Sequence, residues 1–158
     1  MRIVEEFNYR NAEAVINAVD PGLLSRVRGV LTASTSTINL AVAGSQRALS
    51  SQVQQWFRAV GWHHEVPSVA VPGMRYDLYD GRVPIEIELG HERLVYPDFF
   101  EFLADYSAGH IPAGVMIVTQ SPRAFGHSWH CSLASTRRKI LAIANVYLVP
   151  TLIIGIDP

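Results

Sequence analysis

The stretch that decides the fold runs from Arg75 to Leu89 and reads RYDLYDGRVPIEIEL. Apolar and polar residues alternate on both sides of Asp80-Gly81, the period of two expected of strands with one buried face. Asp-Gly is a preferred two-residue hairpin turn. The pattern predicts two antiparallel strands, Arg75–Asp80 and Arg82–Leu89. With Asp80 and Gly81 as the loop, Tyr79 pairs with Arg82, Leu78 with Val83, Asp77 with Pro84 and Tyr76 with Ile85, and Arg75 stands opposite Glu86. One face then carries Tyr76, Leu78, Val83, Ile85, Ile87 and Leu89, an apolar set suited to a core. The other carries Arg75, Asp77, Tyr79, Arg82, Glu86 and Glu88.

Asp77, Glu86 and Glu88 thus share a face. Carboxylates held together repel one another, and the cluster costs stability unless something cationic compensates. Oxygen ligands at this density suit a hard divalent ion such as Mg²⁺. An ion so placed activates water and stabilises charge on a phosphate oxygen. The same alternation also describes a solvated hairpin face balanced by Arg75 and Arg82. Spacing alone leaves both readings open.

Working outward, Asn11 to Val19 reads as a helix stopped by Asp20-Pro21-Gly22, and Thr32 to Thr37 as a loop. Ser45 to Val60 places Leu49, Val53, Trp56, Phe57 and Val60 on one helical face, with Gly61 as its C-terminal cap. His63 to Val71 is an extended edge segment interrupted by Pro67. Beyond the hairpin, Tyr96-Pro97-Asp98 opens an aromatic-rich helix that ends near Gly109. GVMIVT (Gly114–Thr119) and TLIIGI (Thr151–Ile156) are apolar throughout, as suits strands buried on both faces. Ser121 to His130 reads as a long loop and Leu133 to Asn145 as a helix. The order of helices, hairpin, then helix–strand–helix–strand predicts an α/β fold, a mixed sheet flanked by helices with its later strands parallel.

The 158 residues suit one domain, which at this size hides about 70% of its unfolded surface. Only 17% of residues are charged, against roughly a quarter in ordinary globular domains, so either the core is large or apolar surface meets another subunit. The net charge of −1 excludes a broadly basic nucleic-acid binder but permits a local basic patch. Cys131 is the single cysteine, which rules out an intrachain disulfide. No basic segment followed by an apolar one opens the chain, and no apolar run suits a membrane span. A cytoplasmic protein is the expectation.

The segment from Tyr76 to Thr119, YDLYDGRVPIEIELGHERLVYPDFFEFLADYSAGHIPAGVMIVT, resembles the BglII/BstYI-type restriction endonucleases, members of the PD-(D/E)xK nuclease superfamily. In that family a strand aspartate is followed, after a short hairpin, by Glu-x-Gln on the next strand. A glycine, an aromatic-rich helix with an Asp near its start and a very apolar strand come after. Asp77, Glu86, Glu88, Gly90, Asp98 and the GVMIV strand stand where those features are expected. The likeness continues more loosely to the terminal TLIIGID, and upstream to the helix end at Gln52–Trp62. It implies a restriction-endonuclease-like mixed sheet flanked by helices, a single nuclease-like domain over residues 1–158. It further implies an Mg²⁺-dependent type II endonuclease that hydrolyses double-stranded DNA as a homodimer. Under it, Asp77 and Glu86 ligate metal with the Ile87 carbonyl, and a fourth polar active-site residue is expected upstream, where His63, His64 and Glu65 lie; Glu65 is the candidate, with a surface edge-strand pair as the alternative. The family's usual Gln, or the superfamily's Lys, is replaced here by Glu88. This resembles the BamHI variation and implies a different handling of the attacking water, because glutamate accepts a proton or ligates metal. Pro97-Asp98 follows the Glu-x-Glu strand, so it is not the superfamily's "PD". Asp98 is expected to be a helix N-terminal residue favoured by the macrodipole.

Arg123, Arg137, Arg138 and Lys139 are the best basic cluster for DNA phosphates, with a solvated helix face as the alternative. His127, His130 and Cys131 lack the second matching pair of a zinc site. Neither a serine nucleophile elbow nor a glycine-rich phosphate loop occurs. Phe99, Phe100, Phe102, Leu103 and Tyr106 spread around more than one face of their helix, which reads either as a helix wedged between the sheet and another helix or as a dimer interface. The alternatives to a restriction enzyme are a repair or structure-specific nuclease, or a non-catalytic DNA-binding or interaction module on the same fold.

Overall fold

The alternation around Asp80-Gly81 folds as a hairpin, but with a wider loop than the dipeptide predicts. In the computed structural model, which describes residues 1–42 and 46–158, the two strands are β3 (Arg75–Tyr79) and β4 (Pro84–Glu88). Leu78 pairs with Ile85 and Tyr79 with Pro84, a slip of two residues from the expected register. Pro84 has no N–H to give a ladder and suits the first position of a strand. Val83 turns into the core and is fully buried. Asp80 pairs with Arg26, and Arg82 donates to the Val19 carbonyl, so the loop is fastened to the helices that precede it. Because the slip is even, Leu78, Val83, Ile85, Ile87 and Leu89 keep a common buried face. Tyr76 departs from them. Its ring stacks on Phe102 and its hydroxyl donates to Asp105, which places it in the core on the sheet's other side.

The hairpin belongs to a six-stranded mixed sheet of order β1-β6-β5-β4-β3-β2. Here β1 is Arg2–Tyr9, β2 His63–Pro67, β5 Gly114–Thr119 and β6 Thr151–Asp157. Strands β4, β5 and β6 run parallel, as predicted, and every residue of β5 and β6 is buried. Strand β1 was not read from the sequence. It lies on the sheet edge antiparallel to β6, with a register shift between Ile3 and Glu5 that breaks its alternation.

Helices cover both faces. Helices α1 (Ala12–Val19), α2 (Leu23–Thr32) and α3 (Gln46–Ala59) pack on one side, where Ile16, Leu24, Val27, Val53 and Phe57 meet Leu78, Ile85, Val115 and Ile154. Helix α2 was not foreseen, since Pro21-Gly22 both ends α1 and begins α2. The predicted start of α3 at Ser45 lies outside the described residues. Its end is as expected: Gly61 adopts φ +92°, and the N–H groups of Gly61 and Trp62 cap the Arg58 and Phe57 carbonyls. Helices α4 (Val95–Ser107) and α5 (Leu133–Ala142) cover the other side, where Phe99, Phe102 and Ile140 meet Met116, Val118 and Ile153. A Cβ on Gly114 would come within 2.7 Å of the Phe102 ring, so the close approach of α4 to β5 requires glycine there. Among the described residues no helix is long and apolar enough to cross a membrane.

Candidate active site

Sheet register decides whether the acidic face is solvated. Glu86 pairs with Met116 and Glu88 with Val118, so both carboxylates project from the same side as those core residues, toward α4. Glu86 is 5% exposed. The acidic face is therefore an enclosed one, and the solvated-hairpin reading does not hold. The expected pairing of Arg75 with Glu86 is absent too: Arg75 donates instead to the Glu65 carbonyl.

The β3–β4 ladder pairs residues only at Leu78 and Tyr79. Continued one step, the register sets Asp77 across from Glu86, and there side chains replace backbone partners. The Asp77 N–H donates to Glu86 Oε2 at 3.4 Å, and the Ile87 N–H donates to Asp77 Oδ2 at 2.8 Å. Gln54 of α3 donates to Asp77 Oδ1 at 2.5 Å, so both oxygens of this carboxylate are oriented. Glu88 Oε1 accepts the Gly90 N–H at 2.6 Å. Glu65 stands opposite Asp77 in the β2–β3 ladder, flanked by the pairs His64–Leu78 and Val66–Tyr76. It adopts φ +52°, the left-handed region uncommon for non-glycine residues, which Arg10 and Asn11 also enter at the turn before α1.

These side chains line one cleft of about 510 Å³. The structure thus brings Asp77, Glu86, Glu88, Glu65 and Ile87 together, and adds residues the sequence reading did not assign to the site. Ser50, Ser51 and Gln54 enter from α3, and Asp98 and Glu101 from α4. Asp98 is more than a dipole-favoured helix start. Three residues apart, it and Glu101 share a helical face, and that face looks into the cleft.

Burial shifts the chemistry of the whole set. It pushes the Asp77 carboxyl up to about 6, against the opposing hydrogen bonds from Ile87 and Gln54. Glu88 is raised to about 7 by burial, opposed by the Gly90 N–H. Glu101 is likewise raised to about 7, by burial and then by the Asp105 charge. Glu86 is held well above the carboxylate range by burial and by Asp98, Asp77 and Glu101. Asp98 is raised by burial and by Glu88 and Asp77.

A divalent cation fits these donors. Among the described residues, Glu86 Oε1 and Glu101 Oε1 are buried without a hydrogen-bond partner. None of Asp77, Glu86, Glu88, Asp98 and Glu101 is in an ion pair among the described residues. Among the described residues, however, no three His, Cys, Asp or Glu side chains are placed to hold a metal ion together. An ion held here would therefore rest on one or two carboxylates and its own waters, a coordination that Mg²⁺ accepts.

The basic residues do not form one patch. Arg137 lies over the Phe7 ring at 4.8 Å, Arg138 is exposed, and Lys139 binds the Glu92 carbonyl beside Tyr96. Arg123 lines a shallow depression with Ser121, Pro122 and Ser128. His130 is buried with Nδ1 at 2.6 Å from the Leu89 carbonyl, while Cys131 contacts Thr136, so these residues brace the strand end after Glu88.

A family model described as "Restriction endonuclease BglII/BglIII" matches residues 4–156. A solved structure of restriction endonuclease BglII complexed with a DNA 16-mer superposes with a TM-score of 0.74. The match covers 98% of this chain and 76% of that one at 11% identity, a likeness of fold. No curated protein shows significant sequence similarity to the chain. The family match extends from β1 to β6 and takes in the whole carboxylate fork, so the chain belongs to the BglII/BglIII family of type II restriction endonucleases, enzymes that cleave DNA.

Proposed function

We propose that this protein is an Mg²⁺-dependent type II endonuclease acting on double-stranded DNA, with Asp77, Glu86, Glu88 and Glu65 as its catalytic side chains. The observation that carries the reading is the splayed end of the hairpin, where Asp77 and Glu86 meet across the fork and Glu86 keeps a buried oxygen without a partner among the described residues. Asp77 and Glu86 would hold Mg²⁺ together with the Ile87 carbonyl. The ion, when bound, supplies Lewis-acid stabilisation of charge on the scissile phosphate.

The chain's own groups do the rest. Gln54 and the Ile87 N–H fix the Asp77 carboxylate. Glu88 has one oxygen held by Gly90 and a proton affinity raised to about 7, which suits it to take a proton from the attacking water near neutral pH. In-line attack forms a bond from the water oxygen to phosphorus and breaks the P–O3′ bond, leaving a 5′-phosphate. Glu65, across from Asp77, orders water at the mouth of the cleft. Arg123, Arg137 and Arg138 contribute phosphate contacts from separate positions along the DNA, while Lys139 is engaged by Glu92 and is not free to join them.

The working unit is a homodimer of a single nuclease domain over residues 1–158, in the cytoplasm. Tyr96 and Phe100 on α4 are half exposed, one turn apart, on the outer face of the helix. A two-fold protein matches two-fold symmetric DNA. The test is a supercoiled plasmid incubated with protein and Mg²⁺. Discrete linear fragments with 5′-phosphate ends are expected. Equal cleavage by folded Asp77→Ala would overturn the assignment. Cuts confined to irregular DNA structures would mark a structure-specific nuclease, and Mg²⁺-independent binding without cleavage a non-catalytic module.

A further inference from the structure

Glu88 depends for its place on the turn that follows it. Its Oε1 accepts the Gly90 N–H at 2.6 Å, so the carboxylate moves with the chain between β4 and α4. That turn is tied down by residues that come after β5. The Leu89 carbonyl lies 2.6 Å from His130 Nδ1, and the Gly90 carbonyl accepts the Cys131 N–H at 2.7 Å. The Glu92 N–H donates to the Trp129 carbonyl at 3.1 Å. The last tie comes from α5, where the Lys139 ammonium donates to the Glu92 carbonyl. We infer that Lys139 is a positioning residue for the cleavage reaction, one that sets the Glu88 carboxylate by pinning the turn from Leu89 to Leu94 against α5.

Lys139 stands apart from the other basic residues. It is the chain's only lysine, and its neighbours Arg137 and Arg138 are exposed while its own side chain is only 12% exposed. An ammonium is a compact point charge with three donors, and withdrawing it from water is costly unless partners answer it. The partners here all lie on the turn or at the start of α4. Besides the Glu92 carbonyl, Nζ stands 3.8 Å from the Glu92 carboxylate and 5.5 Å from the centre of the Tyr96 ring. Helix α5 thus turns one cation inward to the chain segment that carries Glu88. Among the charges that act on Glu88 itself, Lys139 is the one cation, opposing Asp77. The inference rests on the proposed role of Glu88, and it gives Lys139 a task other than phosphate binding.

The experiment compares full-length wild type with Lys139→Met, which keeps the stem and removes the charge and the donor. Single-turnover plasmid cleavage is measured with Mg²⁺, and binding of a labelled duplex spanning a cut site is read by fluorescence anisotropy in EDTA. The variant is expected to cleave about tenfold more slowly and to bind the duplex as tightly as wild type. In a Glu88→Gln background the same substitution is expected to slow cleavage by less than about twofold, because the group it positions is already altered. An unchanged rate for folded Lys139→Met overturns the inference. So does a loss of DNA affinity that matches the loss of rate, or an equal slowing in both backgrounds. If Lys139→Met does not fold, Lys139→Leu takes its place with the same expectations and the same refuting results. Cleavage by Glu88→Gln at the wild-type rate would instead sink the proposed role of Glu88 and the inference with it, whereas the other refuting results leave that role standing.

Discussion

Replacing Asp77 with asparagine should make the metal-free protein more stable while it abolishes cleavage. Burial carries the Asp77 carboxyl from 3.8 up to about 6. At about 1.4 kcal/mol per tenfold change in proton affinity, the charged side chain costs the fold about 3 kcal/mol at pH 8. The unfolded chain releases this proton near the ordinary value and the folded chain only near 6. Between those values the folded state holds the extra proton, so this group's contribution to stability falls as pH rises, and it is level above the upper value. Asparagine mimics the protonated acid. Its carbonyl still accepts from Ile87, and its amide faces Gln54, which can turn its own carbonyl to meet it. The expected gain is about 3 kcal/mol at pH 8 and close to zero at about pH 3.5, where both states of the wild type are protonated. Urea unfolding in EDTA at the two pH values measures it, alongside plasmid cleavage with Mg²⁺. Mg²⁺ should then raise the midpoint of wild type and leave that of the variant far less changed. A variant less stable than wild type at pH 8, or a gain equal at both pH values, would refute the argument that the fold bears this carboxylate at a cost.

Other perturbations separate the remaining roles. Glu88→Gln should slow single-turnover cleavage by about 10²-fold at pH 8 and remove the rise in rate expected as Glu88 loses its proton near 7; an unchanged pH profile would deny it the proton-accepting role. Asp105→Ala should destabilise the chain by roughly 3 kcal/mol or more, because four donors lose their acceptor. Burial raises Asp105, but the hydrogen bonds from Tyr76, Ser68, Ala70 and Val69 outweigh it and leave the carboxyl below its ordinary value. Its stabilisation is thus full above that ordinary value and is lost as pH falls through the folded one, so acid unfolding of wild type should steepen below about pH 4 and the alanine variant should lack that step. Arg137→Ala with Arg138→Ala should weaken DNA binding evenly across sequences and lower the slope of log K against log salt by up to about 2, measured by fluorescence anisotropy. Phe100→Glu should shift sedimentation from dimer to monomer at working concentration.

What the sequence discloses here follows the geometry of each element. A strand declares its faces by parity, and parity survives an even slip. The hairpin loop was misjudged by two residues because Val83 buries itself and Asp80 and Arg82 are held by α1 and α2, contacts that no local pattern announces. Asp77, Glu86 and Glu88 nonetheless stayed on one side. Strand β1 hid behind its irregular alternation, which a bulged edge strand produces, and α2 behind a Pro-Gly pair that both ends and begins helices.

A helix declares a face only relative to whatever it packs against, and that is a tertiary fact. The aromatic residues of α4 show that it is buried, and more than one of its faces is apolar, so nothing local says which side meets the sheet's acidic end. Asp98 and Glu101 were therefore legible as charged residues on a buried helix but not as members of the site. The available signal was the spacing of the acids: Asp98, Glu101 and Asp105 recur at three and four residues, one stripe down an otherwise apolar helix. An acidic stripe on a buried face must be answered by donors, by a cation or by a proton. Asp105 is answered by β3 and the turn before it, and Glu101 by nothing the described chain supplies. That contrast shows why the cleft is lined from α4 as well as from the strand motif.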